Sequence, residues 1–337
     1  MGVTHQEHDT AASPDRTTSW AHRWLPGLTW ASLAVNILIV VSGGVVRLTG
    51  SGLGCPTWSR CTDESFVPHG ELGIHGVIEF GNRLVTFLIA AVAIATFVAA
   101  WQVGRTGVTR LAFVLAVGVP AQAVLGGVTV LVDLNPWVVA GHLLLSMAMI
   151  GVAVALVLRV RRPDAPARRA VPDPIAWLVH LVFVIGWVVL YLGTVVTGSG
   201  PHAGDADAPR NGLDPRAMSQ LHVDFVMLLL GLSVAVWLVL RAVPAPPSAR
   251  DAAQVLLLVL LAQGAVGFIQ YFSDLPIAVV TLHLLGSALV SAALAWLLLS
   301  IYPRDPAGVD IGEGSPPYVQ ATFPDQATEQ AGPHLRS

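Results

Sequence analysis

Eight runs of mostly apolar residues, near 27–48, 74–101, 110–131, 137–159, 174–197, 218–241, 252–272 and 277–301, dominate the chain. Each reaches the roughly 20 residues that a helix needs to cross the hydrocarbon core. Inside lipid every backbone N–H and C=O must find a partner within the protein, so such a run folds as a helix. The chain is therefore expected to be an all-α polytopic membrane protein with eight transmembrane helices, its first partner the lipid bilayer. Composition agrees, since 54% of the 337 residues are apolar and 12% are charged, against about a quarter charged in a soluble domain. No long charge run is present to grip nucleic acid, and the net charge of -3 does not suggest it.

The spans fall into two halves that echo one another. DLNPWVVAGH occupies Asp133 to His142 and DLPIAVVTLH occupies Asp274 to His283, an offset of 141 residues. At the same offset Ala121-Gln122 matches Ala262-Gln263, and Gly126 matches Gly267. VVRLTGSG closes the first span and TVVTGSG the fifth. An internal duplication accounts for these matches. Each half holds an even number of spans, so the copies share one orientation. Two four-helix bundles related by a pseudo-two-fold axis along the membrane normal are expected.

The expected organisation follows. Residues 1–26 form a polar N-terminal segment, without the apolar core or small-residue site of a cleavable signal. Residues 27–159 make the first bundle, 160–173 a basic linker, 174–301 the second bundle, and 302–337 a tail of disordered composition. Arginine collects before the first span, beside the second and sixth, and in the linker (Arg159, Arg161, Arg162, Arg168, Arg169). That bias places both termini in the cytoplasm of a multi-pass cell-membrane protein. The long connections 49–72 and 198–217 then lie outside.

Histidines gather near the outer helix ends. His142 and His283 open the fourth and eighth spans, His222 the sixth, and the second carries His75, Glu79 and Asn82. A histidine at a helix end often sits among lipid headgroups and binds nothing. A histidine repeated at one depth in diverged copies, with a polar partner on another helix, instead suggests paired ligands in a bundle core. Zinc asks for three or four ligands and fits poorly. Haem iron, satisfied by one or two imidazoles, fits better.

Several segments together resemble the haem A synthase family: GGVVRLTGSGLGCPTWSRC, IEFGNRLVT, LNPWVVAGHLLLS, TGSGPHAGD followed by QLHVD, and DLPIAVVTLHLLG. The resemblance runs from the first span to the eighth. It implies an enzyme that oxidises the C8 methyl of haem O to a formyl group by successive hydroxylations, giving haem A for cytochrome oxidase. It also implies a resident haem b between His222 and His283, and substrate haem O in the N-terminal half at His142. The family's span-two motif reads Glu-x-x-His-Arg, whereas this chain has Asn82 in the histidine's place. His75, two turns earlier on the same face, is a displaced ligand, a propionate neighbour or a bystander. Glu79 matches the family's catalytic glutamate; the plainer alternative is a carboxylate paired to Arg83 or Arg47 for packing.

Cys55 and Cys61 are the only cysteines, and both fall in the first outer loop. They are expected to form a disulfide there, either as a staple or as a redox-active pair. His202, Asp205, Asp207 and Arg210 lie in the second long loop, as a lid near the haem b edge or as a solvated loop. Haem O synthase and oxidase assembly factors are the partners the resemblance implies. The electron acceptor is not readable from the sequence, and a homo-oligomer is left open. Two other classes compete. A di-haem b-type electron-transfer protein should need four clean ligands, and a transporter usually keeps its polar residues near the midplane.

Overall fold

A computed structural model describes residues 16–304, with side chains from Trp20 onward. The readings of residues 1–15 and of the tail beyond 304 lie outside the described residues. The described residues contain eight long helices: α1 (Arg16–Leu48), α2 (Gly73–Val103), α3 (Thr106–Leu131), α4 (Pro136–Arg161), α5 (Asp173–Ser199), α6 (Pro215–Ala242), α7 (Pro247–Phe272) and α8 (Ile277–Ser300). All eight are long and apolar enough to span a membrane, as the sequence predicts. One boundary differs, because α1 begins well before residue 27, at Arg16, and runs through Pro26. Ala21 and Leu25, one turn apart, are buried in one apolar cluster with residues of α2, α3 and α4, and this packing extends the helix beyond its apolar run.

Helix contacts follow two rings. In the first, α1 packs on α2 and α4, and α3 joins α2 to α4; in the second, α5 packs on α6 and α8, and α7 joins α6 to α8. The diagonal pairs α2–α4 and α6–α8 do not pack against one another. α8 touches α1 and α4, and α4 also touches α5, so the rings share one seam. At that seam Val40, Met147, Ile150, Leu190 and Ala288 are buried together, and Ser291 donates to the Met147 carbonyl at 2.8 Å. Lipid tails are as apolar as leucine, so close packing and such interhelical hydrogen bonds hold the helices together. Ser32 bonded to Thr96 at 3.0 Å plays the same part between α1 and α2.

The repeated Asp-Leu has a conformational cause. Asp133, Leu134, Asp274 and Leu275 all have positive φ, between 52° and 59°, a region that non-glycine residues seldom enter. The Leu134 N–H reaches back to the Thr129 carbonyl at 2.8 Å, and the Leu275 N–H to Gln270 at 2.9 Å. These equivalent bonds cap α3 and α7 in the manner of a Schellman turn. The chain reverses within a few residues and aims α4 and α8 back along their neighbours. The helices that carry His142 and His283 therefore start from the same turn.

At the opposite end the linker is stitched to the end of α8. The Arg168 N–H donates to the Pro303 carbonyl at 3.1 Å, Ala170 N–H to Ile301 at 3.0 Å, and Arg162 to Leu299 at 2.9 Å.

Candidate functional site

His222 sits two turns into α6 and His283 two turns into α8, at the end of the rings that carries the long loops. At 1.5 Å per residue both lie about 10 Å along their helices. These helices are diagonal in the second ring, so the imidazoles face an interior that no direct helix contact closes. Both side chains are half-buried, and each Nδ1 is buried with no hydrogen-bond partner. Glycines seat the rings: a Cβ on Gly193 of α5 would lie 3.4 Å from His222 Cε1, and one on Gly267 of α7 3.4 Å from His283 Cε1. Gln263 of α7 donates to the His283 carbonyl at 2.6 Å and fixes the helix at that depth.

Half of this arrangement recurs in the first ring. His142 of α4 packs against Gly126 of α3, where a Cβ would lie 3.3 Å from Cε1, and its Nδ1 is likewise buried and unpartnered. Gln122 donates to the His142 carbonyl at 3.2 Å, the counterpart of Gln263. Across the diagonal no imidazole answers it. Asn82 of α2 is half-buried, and its Oδ1 accepts the Ser42 hydroxyl at 2.7 Å. His75 is exposed, and its Nδ1 is bonded to Ser51 Oγ at 2.9 Å. Its ring is thus engaged at the foot of the loop after α1.

Glu79 fills the difference. It is 5% exposed, an expensive position for a carboxylate in a membrane helix unless it is paired. Arg83, one turn on, donates to Oε1 at 2.6 Å, and the Cys55 backbone N–H donates to Oε2 at 2.6 Å. Arg47, the other cation considered as its partner, points elsewhere, donating to the carbonyls of Thr197 at 3.1 Å and His202 at 2.9 Å. Cys55 and Cys61 form a disulfide, and neither has any exposed surface. Their burial favours the staple over a pair that exchanges freely with thiols.

The second long loop folds on itself and onto the first half. Arg210 donates to the carbonyls of Ala208 at 2.5 Å and Pro201 at 2.9 Å, and Asp205 accepts the Asp207 N–H at 3.0 Å. The Gly52 N–H donates to the Gly204 carbonyl at 2.7 Å. Ala203 and Ala208 bury Leu134. His202 meets Arg47 through its carbonyl. Among the described residues, no group of three or more His, Cys, Asp or Glu is arranged to hold a metal ion.

Four features of the site are not legible in the sequence: Arg83 as more than a counter-charge, Ser42 as the Asn82 partner, Gly193 as a ring seat, and Trp58. The indole of Trp58 lies on Gly127 of α3 so closely that a Cβ there would collide with it. Only the adjacent glycines of α3 and the duplicated Gly126/Gly267 hint at these seats beforehand.

Comparison with known proteins gives a consistent picture. Residues 26–210 match the family model described as cytochrome oxidase assembly protein, COX15-CtaA. A heme A synthase of Bacillus cereus strain G9842 is 24% identical over 292 residues, covering 82% of this chain and 92% of the relative. Heme A synthases of Bacillus cereus strain AH187 (23%) and Bacillus anthracis strain A0248 (24%) match with the same coverage.

Proposed function

Because the chain belongs to the COX15-CtaA family of cytochrome oxidase assembly proteins, we propose that it is a haem A synthase, a membrane oxidoreductase that converts haem O to haem A. The observation that carries this is the pairing of two unlike rings. One has facing imidazoles on diagonal helices, and the other has a single imidazole opposite a buried acid.

The donor set of the second ring fits a resident haem b. His222 and His283 would hold its iron through one imidazole nitrogen each, and Gly193 and Gly267 leave the rings room. When bound, haem b would supply one-electron transfer. In the first ring His142 would hold the iron of the substrate haem O. Asn82, already hydrogen-bonded to Ser42, makes a poor ligand, so the substrate would be held from one side only, a weaker grip suited to a molecule that must leave. His75 is better read as a loop anchor through Ser51 than as the missing ligand.

Converting a ring methyl to a formyl group with oxygen from water releases four protons and four electrons for each methyl. An electron acceptor outside the chain is therefore required, and protons must leave the site. Glu79 is the group suited to the second need. A carboxylate beside the ring edge would stabilise positive charge that develops at the methyl carbon and accept a proton from the attacking water. The haem O would come from a haem O synthase, and the product would pass to oxidase assembly. Both termini are assigned to the cytoplasm on the arginine distribution, and the two rings are read as copies of one ancestral bundle.

The test is co-expression of the full chain with a haem O source, followed by chromatography of the extracted porphyrins. Haem A is the expected product. Haem b bound in two equivalent sites with no haem A would instead favour a di-haem electron carrier, which Asn82 and its Ser42 bond already disfavour.

A further inference from the structure

The loop closed by Cys55 and Cys61 is fastened to α2 through one carboxylate. Its Cys55 N–H holds Glu79 Oε2, and Arg83 holds Oε1. The same guanidinium donates to the carbonyls of Cys55 at 3.4 Å, Thr57 at 3.0 Å and Arg60 at 3.0 Å. Both oxygens of Glu79 are thereby tied to the loop, one directly and one through Arg83. On the other side of the loop Trp58 rests on Gly127 of α3, next to Gly126, which seats His142. The loop thus reaches from the acid on α2 to the glycine pair beside the substrate-side imidazole.

The second ring has no such device. At the offset that pairs Asn82 with His222, Glu79 and Arg83 become Ser219 and Val223, and residues 200–214 contain no cysteine. Acid, guanidinium and disulfide are present together in one half and absent together from the other. A staple needed only to hold a bundle end would be expected in both. A carboxylate free to turn would sample several rotamers, whereas an acting acid must be held within about half an ångström.

We propose that Arg83 is a positioning residue for Glu79, and that the Cys55–Cys61 ring is the abutment against which both are set, its task being geometry and not electron transfer. This rests on Glu79 being the acting carboxylate of the proposed reaction. Reductive opening of the ring would release the Cys55 N–H and let the acid swing. Conversely, the buried sulfurs become accessible to thiols only when the Glu79–Arg83 clasp lifts.

The experiment uses the purified full chain loaded with haem b, as wild type, R83K, R83Q, E79Q, E79Q/R83Q and C55S/C61S. R83Q should lower kcat for haem O conversion about 10- to 100-fold with KM and the haem b spectrum unchanged. R83K should retain more activity than R83Q, and R83Q should cost nothing further in the E79Q background. C55S/C61S should show the same loss confined to kcat. Losses that multiply in the double variant, or a change in KM alone, would overturn the proposal. So would a C55S/C61S protein whose defect is electron transfer to or from haem b. A second readout needs no turnover: maleimide labelling of Cys55 and Cys61 under mild reductant should run about tenfold faster in R83Q than in wild type, the scale of one lost charge-assisted hydrogen bond. Equal labelling rates would sever the link between Arg83 and the loop. A wild type that makes no haem A would sink the proposed reaction, while the labelling comparison would still decide this contact.

Discussion

The two helix rings share a skeleton and differ in what they place inside it. Both end their third helix in the same left-handed Asp-Leu turn, and both seat a histidine against a glycine and brace it with a glutamine. Across the diagonal they part company. The second ring presents His222, whereas the first presents Asn82 bonded to Ser42, with Glu79 one turn before it and Arg83 next to it in the chain. A symmetric pair of imidazoles suits a group that stays. One imidazole with an acid and a disulfide-closed loop suits a group that is held, altered and released. On the proposed function, duplication followed by loss of one ligand would give one chain both a permanent and an exchangeable site.

The largest break in that comparison should come from the permanent site. H222A or H283A should lose haem b absorption altogether, whereas H142A should keep it. Optical spectra of the purified variants check this, and loss of haem b in H142A would dissolve the division of labour. Next in size is the acid. E79Q should retain haem b yet lower haem A formation by about 10²- to 10⁴-fold, the range for a general base. Chromatography of extracted porphyrins reads it out, and normal conversion by E79Q would leave Glu79 as a packing residue.

A third substitution would make the halves more alike. N82H restores an imidazole opposite His142 and removes the acceptor for Ser42. A tetrapyrrole in the first ring should then become six-coordinate and low-spin, and haem A should be released more slowly. An unchanged spectrum would mean that position 82 does not face the iron. Smaller still is the glycine pair. A Cβ on Gly267 would touch the His283 ring at 3.4 Å, an ordinary contact distance, while one on Gly264 meets nothing within 4 Å. G267A should therefore shift the haem b band and potential only slightly, and G264A should leave both alone while gaining up to about 1 kcal/mol of helix propensity.

Much of this plan is legible in the sequence, and the rest is hidden for physical reasons. Eight spans can be read because bilayer thickness fixes their length and lipid fixes their polarity. His142 and His283 stand out because duplication repeats their surroundings. The start of α1 is less legible, since Ala21 and Leu25 are held by packing against other helices and not by their own apolar run. The Asp-Leu repeat is visible as letters, but its left-handed backbone is not, because leucine seldom enters that region. Arg83 reads as a charge near Glu79, yet its bonds to the carbonyls of residues 55, 57 and 60 depend on how the loop folds back. The Ser42–Asn82 bond joins residues 40 apart on two helices, and no periodicity reports it.

The smallest predicted effect tests whether the asymmetry reaches the opposite membrane face. There Arg105, in the turn between α2 and α3, and Arg159, in the last turn of α4, both pair with Asp164 of the linker. The corresponding turn between α6 and α7 is held by Arg250 on the carbonyls of Leu240 and Val243, without a carboxylate. The hydrogen bond from Arg105, aided by the charges of both arginines, holds the Asp164 carboxyl below its ordinary 3.8. A carboxylate whose folded pKa is depressed adds stability above its unfolded pKa and loses it as pH falls through the lower folded value. From neutral pH down to about 4 this clasp should therefore not change, and below that it should loosen. Asp164 is half-exposed, so salt screens the pair and its contribution is small. Thermal unfolding of wild type and D164N, compared from about pH 7 to about pH 3, should show a slight deficit in the variant that shrinks towards the acid end. An arginine that bonds only to carbonyls has nothing to titrate there, so R250Q should show a deficit that stays constant over the same range. A D164N deficit that does not shrink at all towards the acid end would mean that the side chain is held there by shape and not by charge, and the two turns would then be alike.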